Sequence, residues 1–139
     1  MIHIEHANLV VSDIEATLVF YRAAFPHWRV RDSAQGEWSG KPYTWLHFGD
    51  DYQYLTFNDH GEGPNRDPDG HQVGLGHLGF VVDSLDSMIE RLARAGFTPS
   101  SSGASAAHRR NVYYIDPAGF EVEFVQYLSD LPSERNMSV

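Results

Sequence analysis

The sequence predicts an α+β fold made of two tandem βαβββ modules that form a cupped mixed sheet, and three observations carry that prediction. The segment HANLVVSDIEATLVFYRAAF at 6–25 aligns without a gap with HLGFVVDSLDSMIERLARAG at 77–96. Each copy passes from a β-branched run, through residues suited to capping, into apolar positions at helical spacing. Each is then followed by three short runs with strand character.

In the first copy Ser12 and Asp13 supply the capping chemistry, and in the second Asp83 and Ser84 do. Val10 and Val11 align with Val81 and Val82, Ile14 with Leu85, Leu18 with Ile89 and Ala24 with Ala95. Pro26 stops the first helix because it lacks an N–H and clashes with the preceding turn. Gly96 suits the left-handed residue that closes a helix. The strands that follow are expected at 27–33, 43–48 and 52–58, then at 97–100, 111–115 and 120–127. The tetrapeptide DPAG at 116–119 makes the last turn.

The domain organisation expected is a single domain over 1–128, with modules at about 2–58 and 74–127, a linker at 59–73 and a C-terminal tail at 129–139. The linker DHGEGPNRDPDGHQVG is polar and rich in Gly and Pro, as a solvated connection or a flap over a site would be. Its DPDG resembles a calcium loop only superficially, and a solvated turn is the expected reading.

Composition narrows the function. The 139 residues carry 19 acidic and 10 basic side chains and a formal charge of -9, so the surface repels nucleic-acid backbones and anionic lipid. Nucleic acid and membrane are therefore not expected partners. There is no cysteine, which removes disulfides and thiolate metal sites. No basic, apolar leader opens the chain and no apolar run reaches membrane-spanning length. A cytoplasmic protein is expected.

Strand alternation then places the chemistry. In HANLVV, His6, Asn8 and Val10 share one face while Ala7, Leu9 and Val11 share the apolar face that packs under a helix. The same rule turns His77, Gly79 and Val81 away from the second helix. In GFEVEFVQY, Val122 and Phe124 face that helix, so Glu121, Glu123 and Val125 face the other way. His6, His77 and Glu123 thus form a candidate set of two imidazoles and one carboxylate for a divalent metal, with positions left open for substrate or water. His3, His27, His47, His60 and His71 have no such match and are read as surface or loop residues.

These motifs resemble the vicinal oxygen chelate superfamily, which includes glyoxalase I, extradiol ring-cleavage dioxygenases, fosfomycin-resistance thiol transferases and bleomycin-binding proteins. The resemblance runs from about Ile2 to Tyr127 and implies that His6, His77 and Glu123 are the metal ligands. It implies a homodimer too, since such sites often combine modules from two subunits.

Two departures bear on the reaction. Glyoxalase I types usually have a further ligand, often a glutamate, on the last strand of the first module, where YQYLTFN places Tyr54. The three-ligand set is instead the one extradiol dioxygenases use for Fe(II), and VYYIDPAGFEVEF resembles their closing motif. By that resemblance Tyr113 would hydrogen-bond a bound catecholate and His108 would act as acid and base. Tyr54, by the chemistry of its hydroxyl, is a candidate hydrogen-bonding residue for the substrate and a poor substitute for a carboxylate base.

The expectation is one divalent metal per site, Fe(II) favoured and Mn, Ni or Zn also compatible, acting on a small organic substrate chelated through vicinal oxygens. Dioxygenase-like chemistry is slightly favoured. The alternatives are a thiol transferase that detoxifies an antibiotic and a non-catalytic protein that sequesters a drug. Tyr43, Trp45, Tyr52, Tyr54 and Tyr113 are candidate lining residues for a flat or apolar substrate.

Overall fold

The computed structural model describes residues 1–135. The last four residues of the tail expected at 129–139 lie outside the described residues. Contacts divide the chain into two compact units, Met1–Pro64 and Asn65–Val139.

The first unit contains β1 (His6–Val10), α1 (Ile14–Ala24), β2 (Arg29–Trp38), β3 (Lys41–Gly49) and β4 (Tyr54–Asn58). Its sheet has the order β1-β4-β3-β2, with β1 parallel to β4 and the other pairs antiparallel. This is the βαβββ module that the sequence predicts. The hairpin β2–β3 is longer than expected, because Ser39 (φ 46°) and Gly40 (φ 83°) form a two-residue turn that carries the pairing out to Trp38 and Lys41.

Helix α1 starts where Asp13 accepts a hydrogen bond from the Ala16 amide at 3.0 Å, and it ends one residue before Phe25-Pro26. Leu18, Phe20, Tyr21 and Ala24 are buried, and Tyr21 meets Phe57 with ring centroids 5.2 Å apart. Leu9, Leu46, Phe48, Leu55 and Phe57 complete that core from the sheet. Fully burying each such side chain stabilises the fold by about 1.5–3 kcal/mol. Leu9 and Val11 are buried while His6 and Val10 are exposed, as alternation requires.

The second unit contains β5 (Leu78–Val81), α2 (Leu85–Arg94), β6 (Arg109–Ile115), β7 (Glu121–Tyr127) and a short 3-10 turn, η1 (Pro132–Glu134). Its sheet has the order β5-β7-β6, with β5 parallel and β6 antiparallel to β7. Leu85, Met88 and Leu92 of α2 are buried together with Val112, Tyr114, Val122 and Phe124. Ser84 caps α2 at the Ser87 amide. At the other end Gly96 (φ 95°) donates to the Ala93 carbonyl and Phe97 to that of Leu92, the paired bonds of a left-handed helix stop.

One expected strand is missing from this unit. The run expected at 97–100 is reduced to an isolated bridge between Ser101 and Tyr113. The segment FTPSSSGASAAH that leads into β6 offers small polar and Ala side chains with no apolar alternation, so no row of side chains is available to pack on the sheet.

The linker expected at 59–73 is tied down on both sides of the unit boundary. Gly61 donates to the Val11 carbonyl at 2.9 Å, and Lys41 bonds the His60 carbonyl and Glu62. Beyond Pro64, Asn65 donates to the Ala118 carbonyl, while Arg66 donates to the carbonyls of Gln72 and Gly70 at 2.6 and 2.9 Å. A guanidinium thus holds the end of the DPDG turn at the Gly70 carbonyl, where a cation site would be opposed by its charge. No helix among the described residues is long and apolar enough to cross a membrane.

Candidate metal-binding faces

In the second unit, β5 and β7 turn their polar face away from α2. The Nε2 of His77 lies 3.0 Å from Oε2 of Glu123, and its Nδ1 lies 3.9 Å from Oε1 of Glu121. Two ligands set about 2.1 Å from one cation, at right angles, stand about 3 Å apart, so the first pair has the separation of neighbouring donors. At the second distance Glu121 is a nearby charge beyond hydrogen-bond reach of Nδ1.

Glu123 is buried. Its Oε1 accepts from Arg109 Nη2 at 2.6 Å and from Asn111 Nδ2 at 3.0 Å. Burial alone would raise the Glu123 pKa. The Asn111 bond, the bond and charge of Arg109 and the nearby His77 outweigh it and hold the carboxyl below its usual value. Tyr113 is the direct cross-strand partner of Glu123, and its ring meets the edge of His77 at 5.6 Å. Burial, reinforced by the Glu123 charge, raises the Tyr113 pKa, so the phenol stays protonated and serves as a donor.

In the first unit, His6 Nδ1 lies 2.8 Å from Oε1 of Glu5. The His6 ring lies flat on Tyr54, with centroids 4.8 Å apart and planes 5° apart. His47 meets the same Tyr54 ring at 4.5 Å, and Trp45 meets His47 at 5.0 Å. The strand β2 skips a pairing between Val30 and Asp32, and Arg31, the residue at the skip, sets its guanidinium over Tyr54 at 4.8 Å. The Tyr54 hydroxyl donates to Glu5 Oε1 at 3.2 Å, and burial followed by this bond raises its pKa. Both repeated histidines have a carboxylate on the Nδ1 side, within hydrogen-bond distance for His6 and at 3.9 Å for His77.

Among the described residues no group of three or more His, Asp or Glu side chains is gathered tightly enough to hold an ion by itself. His77 and Glu123 have the spacing of two neighbouring donors in the second unit, and His6 lies in the first.

Register revises two sequence readings. Gly79 pairs with Glu123 in the second unit, and Asn8, its counterpart in the repeat, pairs with Thr56 in the first. The position matching Glu123 is therefore Thr56, two residues beyond Tyr54. His47 pairs with Thr56 as Tyr113 pairs with Glu123, so His47, expected as a surface or loop residue, occupies a strand position matching Tyr113.

His108 is not brought to this face. Its carbonyl accepts from the Leu128 amide and its Nδ1 lies 3.7 Å from Glu134. Leu128 is five residues along the chain from Glu123, about 17 Å in an extended strand. Among the aromatic residues expected to line a site, Trp45, Tyr54 and Tyr113 lie on these two faces, and Tyr43 shares the strand face of Trp45 farther along β3. Tyr52 is 83% exposed in the β3–β4 turn, and Tyr43 packs edge-on against His60, with Trp38 stacked on the same imidazole.

The family model of the Glyoxalase/Bleomycin resistance protein/Dioxygenase superfamily matches residues 3–124. The chain belongs to this superfamily. A glyoxylase/bleomycin resistance protein/dioxygenase domain from Frankia sp. EAN1pec is 20% identical with a TM-score of 0.75, covering 94% of this chain and 96% of its own. A glyoxalase family protein from Bacillus cereus is 14% identical with a TM-score of 0.73, covering 93% and 96%. The fosfomycin resistance protein FosX from Listeria monocytogenes, solved with Mn(II) and sulfate, is 20% identical with a TM-score of 0.65, covering 97% and 98%. At these identities the likeness is one of fold. Comparison with curated proteins gives no match.

Proposed function

We propose that this chain is a metal-dependent enzyme acting on a small organic substrate bound through two neighbouring oxygens. The observation that carries the reading is the 3.0 Å approach of His77 Nε2 to Glu123 Oε2, with the other His77 nitrogen facing Glu121. His77 and Glu123 are assigned as ligands and His6 as the third, its Nδ1 being engaged by Glu5. A divalent ion held by such donors supplies Lewis acidity and a template for the substrate oxygens.

Around that pair Tyr113 is a protonated donor suited to a substrate oxygen, and Tyr54 orients His6 by stacking. His108 has no part in this reading. Dioxygenase-like ring opening remains the first reaction to test, with Fe(II) the favoured ion and Mn, Ni and Zn as alternatives. A homodimer and a cytoplasmic location complete the reading.

A second reading, an antibiotic-resistance enzyme, is favoured by Arg109, a guanidinium on the same strand face as Tyr113 and in contact with Glu123. The superfamily's fosfomycin resistance member with bound Mn(II) and sulfate gives it a precedent.

Metal analysis of protein purified without chelator should find about one equivalent per chain, and His77→Ala should lose it. Metal-free protein that still takes up an aromatic ligand would point to sequestration instead. Oxygen uptake with a catechol panel, set against glutathione consumption with fosfomycin or methylglyoxal, separates the enzymatic readings. Normal metal retention by His77→Ala sinks the ligand assignment.

A further inference from the structure

We propose that Arg109 is the resident counter-ion of Glu123 and that it sets how tightly this carboxylate takes a divalent cation. The inference rests on the ligand assignment above and concerns one charge that the assignment leaves unexplained. A buried carboxylate is unstable without a compensating positive group. Arg109 provides it, with Nη2 2.6 Å from Oε1, and Asn111 Nδ2 takes the same oxygen at 3.0 Å.

The two carboxylate oxygens are thereby divided. Oε1 is committed to two donors, while Oε2 faces His77 Nε2 at 3.0 Å. An incoming cation meets one oxygen and, a few ångströms behind it, a fixed positive charge. That charge opposes the second one through a buried carboxylate, where screening by water is weak.

Arg109 is also held in place. It hydrogen-bonds Tyr127 and lies over that ring at 6.0 Å, while Arg135 covers the same ring at 4.1 Å. The guanidinium is therefore a standing brake on cation affinity, and it acts as a positioning residue.

The test is titration of the full chain with Mn(II), following free Mn(II) by electron paramagnetic resonance, for wild type, Arg109→Gln, Arg109→Met and Arg109→Lys, with His77→Ala as control. Both neutral variants should bind Mn(II) roughly tenfold tighter than wild type, and Arg109→Lys within roughly threefold of it. A neutral variant that folds only when Mn(II) is present also supports the proposal, since the ion then replaces the missing charge. Unchanged or weaker binding by the folded neutral variants overturns it, as does failure of both to fold even with Mn(II). Equal binding by wild type and His77→Ala would overturn the ligand assignment itself, and the role of Arg109 with it.

Discussion

The imidazole of His6 lies parallel to the phenol ring of Tyr54, the two joined across β1 and β4 as direct strand partners. Tyr54 therefore supports His6 rather than standing where the repeat places Glu123. Removing the ring in Tyr54→Ala should lower the urea midpoint and broaden the His6 ring signals in NMR spectra. Tyr54→Phe keeps the stack and loses only the exposed bond to Glu5, so its urea midpoint should stay close to that of wild type. Equal effects of the two substitutions would refute the stacking role.

Asn111 connects the Glu123 carboxylate to the loop before β6. It is 7% exposed, its amide donates to Glu123, and its carbonyl oxygen accepts from the Ala104 amide at 2.8 Å. Replacement by leucine preserves volume and strips both bonds, leaving polar groups without partners at a cost of roughly 1–3 kcal/mol. The expected result is a lower urea midpoint and faster hydrogen exchange at Ala104. A midpoint unchanged from wild type would show that the two bonds contribute nothing net.

The turn between β3 and β4 gives the chain a defined acid response. Asp50 accepts from the amides of Tyr52 and Gln53 at 2.8 and 2.9 Å, and these bonds hold its pKa below the ordinary value. Its pKa is lower in the folded than in the unfolded chain. The unfolded state thus binds more protons at intermediate pH, and the contribution is complete above the unfolded value of about 3.9. It disappears as pH falls through the lower folded value. Asp50→Asn should accordingly be less stable than wild type at pH 7, by roughly 1 kcal/mol. The gap should close in acid, and a gap that stayed constant down to pH 2 would contradict the assignment.

How far the sequence revealed this molecule depended on where its repeat keeps register. From His6 to His77 the offset is 71 positions, and there the faces of β1 and β5, the caps and the helix stops were all legible. Beyond the helices the offset is 66 from His47 to Tyr113 and 67 from Thr56 to Glu123. The reason is that the two modules differ in the strands and turns after the helix. A shift of 71 leads from Tyr113 to Pro42 and from Glu123 to Tyr52, which concealed His47, while reading Tyr54 from the last strand of the module missed the register that matches Thr56 to Glu123. Arg109 and Asn111 were concealed for another reason. Their importance comes from cross-strand proximity to Glu123, and a guanidinium beside a buried carboxylate has no spacing pattern of its own. Alternation on β6 could have found them, since Arg109, Asn111 and Tyr113 are spaced by two.

Loading with a metal offers the most direct physical reading of the second unit. A ligand that binds only the folded state adds RT ln(1 + [L]/Kd), about 2.7 kcal/mol at a hundredfold excess over Kd. Because His77 and Glu123 sit on or beside parallel neighbours, β5 and β7, a shared ion would clamp these strands together. Added Mn(II) should therefore raise the unfolding temperature of wild type. It should also slow hydrogen exchange at the Leu78–Val81 and Glu121–Tyr127 amides more than in the β2–β3 hairpin. In His77→Ala neither change should occur, and chelator should reverse both in wild type. Protection spread evenly over the hairpin and β7 would mean that the ion stabilises the chain through some other set of donors.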